Sequence, residues 1–344
     1  IKNGAHPNHS GLKEGILSMP DIMRNLGYIT GLVGKEGVHR NPIRPTDLFN
    51  WDVLMPHTKV TIKGAEYDKK AAKKHRVMDY KKVDKFISES KKPFCMFVAS
   101  SLPHGPELSK IENGLTGYEA SNWSTDLQVG KYIAMLDKAG KTENTVFIFV
   151  SDNGSNTPRS KYTLFEPGIH IPMIITWPGH VKPNTVNHQL VDFTDVMPTL
   201  IDIAKGKPHK NMDGKSLFSL MKGGNEAVHE DLFASFTALG ANYVNDPYPI
   251  RSVVTEQYKL IHYLNHSIFP PKGSVKTKSP EYLLFDLKND PKELNNLATK
   301  KKYQSVMENM MARLNKWEKE VGDKGMETEM EAIDMFPGKI TYQK

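Results

Sequence analysis

Apolar residues along the chain fall into short blocks set off by turn-forming residues, and the spacing inside each block predicts its element. Val146-Phe147-Ile148-Phe149-Val150 is an unbroken β-branched and aromatic run, bounded by Asn144 on one side and Ser151-Asp152-Asn153-Gly154 on the other. Such a run predicts a strand buried on both faces, of the kind found inside a parallel sheet. Similar runs predict strands over 28–33, 94–100 and 171–177. Helical patterns alternate with them: an amphipathic helix from residue 20 closed by Gly27, a helical composition over 67–90, and a long helix over 118–139 with apolar Leu127, Ile133, Ala134 and Leu136. Residues 1–10 read as a polar loop and 40–57 as proline-rich and irregular. Past Gly223-Gly224 the pattern changes to short strands over 231–236, 250–255, 258–263 and 282–287, then a helix over 304–321. The first part predicts an α/β domain, residues 1–224. The second predicts a smaller α+β subdomain, residues 225–344, an antiparallel sheet plus a helix. Residues 325–344 are too mixed to assign.

With 344 residues, 38% of them hydrophobic and 25% charged, the chain can bury a large core in more than one domain. No apolar run is long enough to span a membrane. Cys95 is the only cysteine, so no intrachain disulfide can form, and its setting in Phe94-Cys95-Met96-Phe97-Val98 reads as a small buried hydrophobe. The formal charge of +7 helps to draw in anionic partners. Much of the lysine lies in 69–92 and 300–302, where the ordinary reading is a solvated helix face. No zinc-finger, helix-turn-helix or RNA-recognition pattern supports nucleic acid.

The residues with chemistry to offer sit just after predicted strands. Asp152 and Asn153 close the 146–150 run, and the carboxyl ends of parallel strands line the crevice where such folds bind ligands. A carboxylate and an amide oxygen suit Ca2+ or Mg2+. Asp-Asn-Gly by itself reads first as a turn signal. Lys161 follows eight residues after Asn153, ahead of Glu166-Pro167-Gly168. Lys35 follows the 28–33 strand between glycines, a place that a plain surface lysine could also occupy. His104 lies between Pro103 and Pro106 after the 94–100 strand, where two prolines fix the loop.

Taken together these segments resemble the type I sulfatases of the alkaline-phosphatase superfamily, in the order in which that family carries them. The resemblance rests on Gly27-Tyr28 through Gly34-Lys35, on Pro93–Pro106 with its Pro-His, and on Asp126–Gly130. It continues through Ser151–Pro172, Val191–Leu200, Asp213–Leu217 and Asp286–Leu297, and so covers roughly residues 4 to 317. The spacing through Lys161 and Pro167-Gly168 looks most like the sulfamidase branch that includes heparan N-sulfatase. The resemblance implies a mixed sheet sandwiched by helices. It also implies Ca2+, with Mg2+ as the alternative, bound by Asp152 and Asn153, and a sulfate held by His104 and Lys161, with His104 protonating the leaving oxygen. Lys35 would stabilise the nucleophile's oxyanion. Most relatives carry a histidine two residues after that lysine. Here the position is Gly37, and either His39 substitutes or the role is vacant.

One family element is missing. The nucleophile of these enzymes is a formylglycine made within Cys/Ser-x-Pro-x-Arg, and no such sequence occurs in the 344 residues. The expectation is a sulfatase lacking its first strand and nucleophile region, whose parent hydrolyses sulfate esters or N-sulfate of a sulfated glycan. A periplasmic, secreted or lysosomal location is implied by the same resemblance, with no nucleic acid or membrane as partner. A phosphodiesterase or phosphonate hydrolase of the superfamily, a non-catalytic binder of sulfated glycans and a purely structural fragment are the rival readings.

Overall fold

The computed structural model describes residues 15–35, 51–56, 78–104, 114–236, 249–264 and 280–334. Its first layer is a parallel three-stranded sheet in the order β2-β1-β3, made of β1 (Ile29–Gly34), β2 (Val53–Pro56) and β3 (Phe94–Ala99). The short helix α1 (Met19–Asn25) leads into β1, starting at Ser18, whose backbone N–H donates to Asp21 Oδ2 at 3.0 Å. β1 is central and buried, because Val33 and Ile29 meet one helical layer while Leu32 faces the other side. That layer is α2 (Tyr80–Glu89) and α3 (Gly117–Lys138). On α2 the apolar positions Val83, Phe86 and Ile87 recur at helical spacing and turn inward. On α3 Tyr132 and Leu136 do the same, and all five join Val33 and Met55 in one core.

Two expectations are corrected here. The 40–57 stretch is not irregular throughout, because residues 53–56 form β2 along the β1 edge. Proline is tolerated at its end because β2 is the outer strand among the described residues. Asp52 fixes the start of β2 by accepting the Thr30 N–H and hydroxyl, each at 2.8 Å. The 146–150 run is not a strand buried on both faces. It forms β4 (Phe147–Val150), half-buried throughout, and its partner among the described residues is the antiparallel β5 (Met173–Thr176). Phe147 pairs with Thr176 and Val150 with Met173, so the chain leaving β4 returns through the whole 151–172 loop before pairing back. Of the 67–90 helix, the part beyond residue 79 is confirmed, and residues 57–77 lie outside the described residues.

A second body follows. Helix α5 (Val196–Ile203) is anchored by Asp195, fully buried, whose Oδ1 accepts the Lys215 N–H at 2.7 Å and lies 2.8 Å from His229 Nε2. That carboxylate ties together the two short motifs around residues 195 and 215. After α6 (Phe218–Met221), four antiparallel strands pair in sequence order: β6 (Leu232–Phe236), β7 (Ile250–Val254), β8 (Tyr258–Tyr263) and β9 (Tyr282–Asp286). Helix α7 (Gln304–Val321) covers one face through Met307, Met310 and Leu314 against Val253, Leu260 and Leu284. It ends in Gly322 at φ 72°, the left-handed cap that glycine adopts without strain. A further helix over residues 326–334, α8 (Met326–Asp334), was not expected from the sequence. The opposite face of the sheet is covered by Leu164 and Phe165, which belong to the loop after β4.

Candidate functional site

The carboxyl edge of the parallel sheet holds the first two candidates. Gly34 ends β1 at φ +97°, and a Cβ there would run into the Ala99 carbonyl oxygen, so only glycine lets the strands close up at this point. The next residue, Lys35, donates its N–H to Ala99 O at 2.9 Å and turns its side chain to solvent. β3 ends at the same level, and His104 follows it five residues later, also exposed. Ser100, between them, donates to Gln128 of α3 at 3.1 Å and accepts the Leu102 N–H at 3.2 Å. His39 lies outside the described residues.

The direction of β4 follows from the two ends of the preceding helix. Gln128 of α3 touches Ser100 at the carboxyl end of β3. Lys141, just past the end of α3, donates to Ile87 O at 2.6 Å and to Ser90 O at 2.8 Å, and lies 5.6 Å over the ring of Phe94, which starts β3. The helix therefore carries the chain back to the amino edge, and β4 runs in the same sense as β3. Asp152 and Asn153 therefore leave β4 in the same direction in which Lys35 and His104 leave β1 and β3, although among the described residues β4 pairs only with β5.

The loop after β4 is wound on itself. Gly154 N–H donates to Gly168 O at 3.0 Å, and Ser160 Oγ to Pro167 O at 2.7 Å. Thr163 Oγ1 donates to Ser160 O at 2.7 Å, and Lys161 N–H to Ser155 O at 3.0 Å. Arg159 and Tyr162 adopt left-handed backbone at φ 59° and 69°, a conformation that costs non-glycine residues energy and concentrates at functional loops. The result brings Lys161 back beside Ser155, two residues from Asn153. Its ammonium lies 5.4 Å from the Tyr162 ring centre.

Asp152 is exposed, and among the described residues no hydrogen bond or ion pair engages its carboxylate. Its oxygens and the Asn153 amide oxygen fit a hard divalent cation in kind. They supply only part of a shell, since Ca2+ takes about six to eight oxygens. No group of three or more His, Cys, Asp or Glu that could hold a metal occurs among the described residues. Cys95 is half-buried, and burial pushes its thiol up to about 11, which leaves it protonated and unreactive at neutral pH.

A polar cluster that the sequence did not announce secures this loop. Glu166 opens the one-turn helix α4 (Glu166–Ile169). It pairs with the ammonium of Lys259 on β8 and, through Oε2, with His170 Nδ1 at 2.7 Å. Burial alone would raise the Glu166 carboxyl, but the His170 hydrogen bond and the Lys259 charge outweigh it and hold the group at about 2. Lys259 also lies 3.0 Å from Glu293 Oε1. The one available signal was a lysine inside the mostly apolar β8, Tyr258–Tyr263.

Comparison with known proteins follows the same chain segments. The sulfatase family profile matches residues 2–206. A second profile, described as N-sulphoglucosamine sulphohydrolase, C-terminal, matches residues 159–320. An ulvan-active sulfatase of Formosa agariphila is 30% identical over 364 residues, covering 94% of this chain and 68% of that protein. Two further ulvan-active sulfatases of that organism are matched over 42% and 47% of their length. Human N-sulphoglucosamine sulphohydrolase is 24% identical, over 92% of this chain and 76% of that protein. Among solved structures, BT4656 in complex with its substrate D-glucosamine-2-N,6-O-disulfate superposes with a TM-score of 0.71 at 16% identity, over 94% of this chain and 85% of that one. BT1596, a 2-O GAG sulfatase, superposes with a TM-score of 0.70, also at 16% identity, over 100% and 83%. At that identity the superpositions speak to the fold alone.

Proposed function

Because the chain belongs to the sulfatase family, we propose that it forms most of a hydrolase that releases sulfate from a sulfated carbohydrate, as an O-ester or an N-sulfate. The observation that carries this reading is the loop after β4, which leaves Asp152 without a protein partner among the described residues and folds Lys161 back onto Ser155. Ca2+ held in part by Asp152 and Asn153 would supply a Lewis acid beside the sulfate oxygens. The family's nucleophile, formylglycine, is assigned to none of these residues.

The remaining roles belong to this chain's side chains. Lys161 would bind a sulfate oxygen through a charge-assisted hydrogen bond, strongest as charge builds up in the transition state. His104 would hold a second oxygen and give its proton to the leaving oxygen or nitrogen as the bond to sulfur breaks. Lys35, at the end of β1, would stabilise an oxyanion at the nucleophile. His39 is proposed as the base that takes the place of the usual histidine near that lysine. The family relationship and the positive charge of the chain support a sulfated glycan as substrate.

The direct assay is inorganic sulfate released by the native protein carrying these residues, from N-sulfated and O-sulfated oligosaccharides, with a phosphodiester as comparator. Sulfate release that is lost on chelation of divalent cations is the expected result. Phosphodiester cleavage without sulfate release would overturn the reading in favour of the phosphodiesterase branch of the superfamily.

A further inference from the structure

Lysine is rarely found inside a sheet core, because its charge must be fully paired there. On β8, Lys259 shares its face with Ile261 and Tyr263, both core residues, and its side chain is fully buried. Its ammonium is enclosed by two carboxylates from segments far apart in sequence, Glu166 and Glu293. Glu293 also acts through its other oxygen, since Oε2 accepts the backbone N–H of Glu166 at 2.7 Å and so caps the first turn of α4. Arg159, on the same loop, donates to the carbonyl oxygens of Lys292 at 3.2 Å and Glu293 at 2.6 Å, and stacks 4.1 Å over the Phe165 ring. Leu164 and Phe165 then enter the core with Ile250, Ile261, Leu283 and Phe285.

The loop that starts at Asp152 and carries Lys161 is thus the covering layer of the C-terminal sheet. Apolar contact alone would let such a loop settle in several ways, whereas a buried ammonium with two carboxylates tolerates one. Buried ion pairs add little net stability, and breaking one is costly, so their best-supported use is to specify a single arrangement.

We propose that Lys259 and Glu293 are positioning residues for the candidate site: they seat the 152–168 loop on the C-terminal sheet and so fix where Asn153 and Lys161 lie. The proposal rests on the reading of that loop as the sulfate site. It concerns residues that touch neither substrate nor metal, and it assigns the C-terminal sheet a part in catalysis.

The experiment compares the native protein with Lys259→Met, Glu293→Gln and the double variant Lys259→Met/Glu293→Gln. Backbone hydrogen exchange is followed in peptides covering 152–168 and in peptides from β7 and α7, beside kcat and KM for sulfate release. In Glu293→Gln an amide oxygen remains to accept the Glu166 N–H, and in the double variant the buried cation and one of its carboxylates leave together, so these two carry the test if Lys259→Met fails to fold. The expected result is exchange in 152–168 faster by about tenfold or more, with β7 and α7 unchanged, and a fall in kcat larger than any rise in KM. Exchange that rises equally in the loop, β7 and α7 would show a purely structural strut and overturn the proposal, as would no change at all. If the loop loosens while the native protein releases no sulfate from any substrate, the positioning role holds and the sulfatase reading fails.

Discussion

Gly154 has the least room for an added side chain among the glycines of the candidate site. A Cβ there would run into the Pro167 carbonyl oxygen and the Ser160 hydroxyl, both fixed by the hydrogen bond between them. Gly154→Ala should therefore open the loop at a cost of about 1–3 kcal/mol, the usual range for overpacking, seen as a lower melting temperature together with slower sulfate release. Lys161→Ala acts on chemistry instead. It should slow turnover by about 2–4 kcal/mol of transition-state stabilisation, by analogy with losing one oxyanion donor, with the melting temperature unchanged. His170 gives a pH test. Its hydrogen bond to Glu166 raises its pKa against the opposing effect of burial. Its contribution to stability is thus complete below the ordinary histidine value and lost as pH rises through the raised one. His170→Gln should flatten the melting temperature against pH on the alkaline side of 6.5, by less than about 1 kcal/mol because the side chain is 78% exposed. Asp152, Asn153 and Lys161 could be singled out in the sequence because they follow a strongly patterned strand. Lys259 and Glu293 were not, because a lysine in an alternating strand ordinarily points to water, and the two carboxylates around it come from residues 93 and 34 positions away.

Elements with a complete local pattern were read closely. Helix α7 occupies the predicted 304–321, and all four strands of the C-terminal sheet fall where alternation placed them. The parallel half was harder. β2 was missed because four residues next to prolines carry little pattern, and their pairing with β1 is a tertiary choice. The pairing of β4 was also misjudged, since an apolar run gives no strand direction or neighbour. α7 offers its own test. Arg251, fully buried, meets Asp323 at 2.5 Å and Glu329 at 2.6 Å, joining β7 to the turn after α7 and to α8. Glu318 lies beside them with a buried Oε1 that has no hydrogen-bond partner among the described residues. Burial, then repulsion from Asp323, raises its pKa against the pull of Arg251. A raised carboxyl costs stability once pH climbs past the unfolded value of 4.5. Glu318→Gln should stabilise the protein at neutral pH by about 1 kcal/mol, a gain that shrinks as pH falls toward 4. Equal melting temperatures at pH 7 would show that water already solvates the group.

At the scale of the molecule, the order of short motifs made the family legible, because each falls where a strand or helix end is required. The packing of the loop after β4 onto the C-terminal sheet was not legible. It joins segments on either side of the boundary read at 224, and the C-terminal family profile begins at residue 159, inside that loop. No helix among the described residues is long and apolar enough to cross a membrane. These 344 residues contain no Cys/Ser-x-Pro-x-Arg sequence, and covalent sulfate transfer needs a nucleophile. The chain expressed by itself should therefore show no sulfatase turnover. Turnover abolished by His104→Ala in that preparation would contradict this. The most direct measurement of the central claim is sulfate release by the native protein beside its Asp152→Ala variant, with Ca2+ binding by calorimetry and melting temperature recorded on both. The account predicts a loss of roughly a thousandfold or more in rate and weaker Ca2+ binding, with the melting temperature unchanged when both proteins are free of Ca2+. Parent-like rates in Asp152→Ala would contradict it.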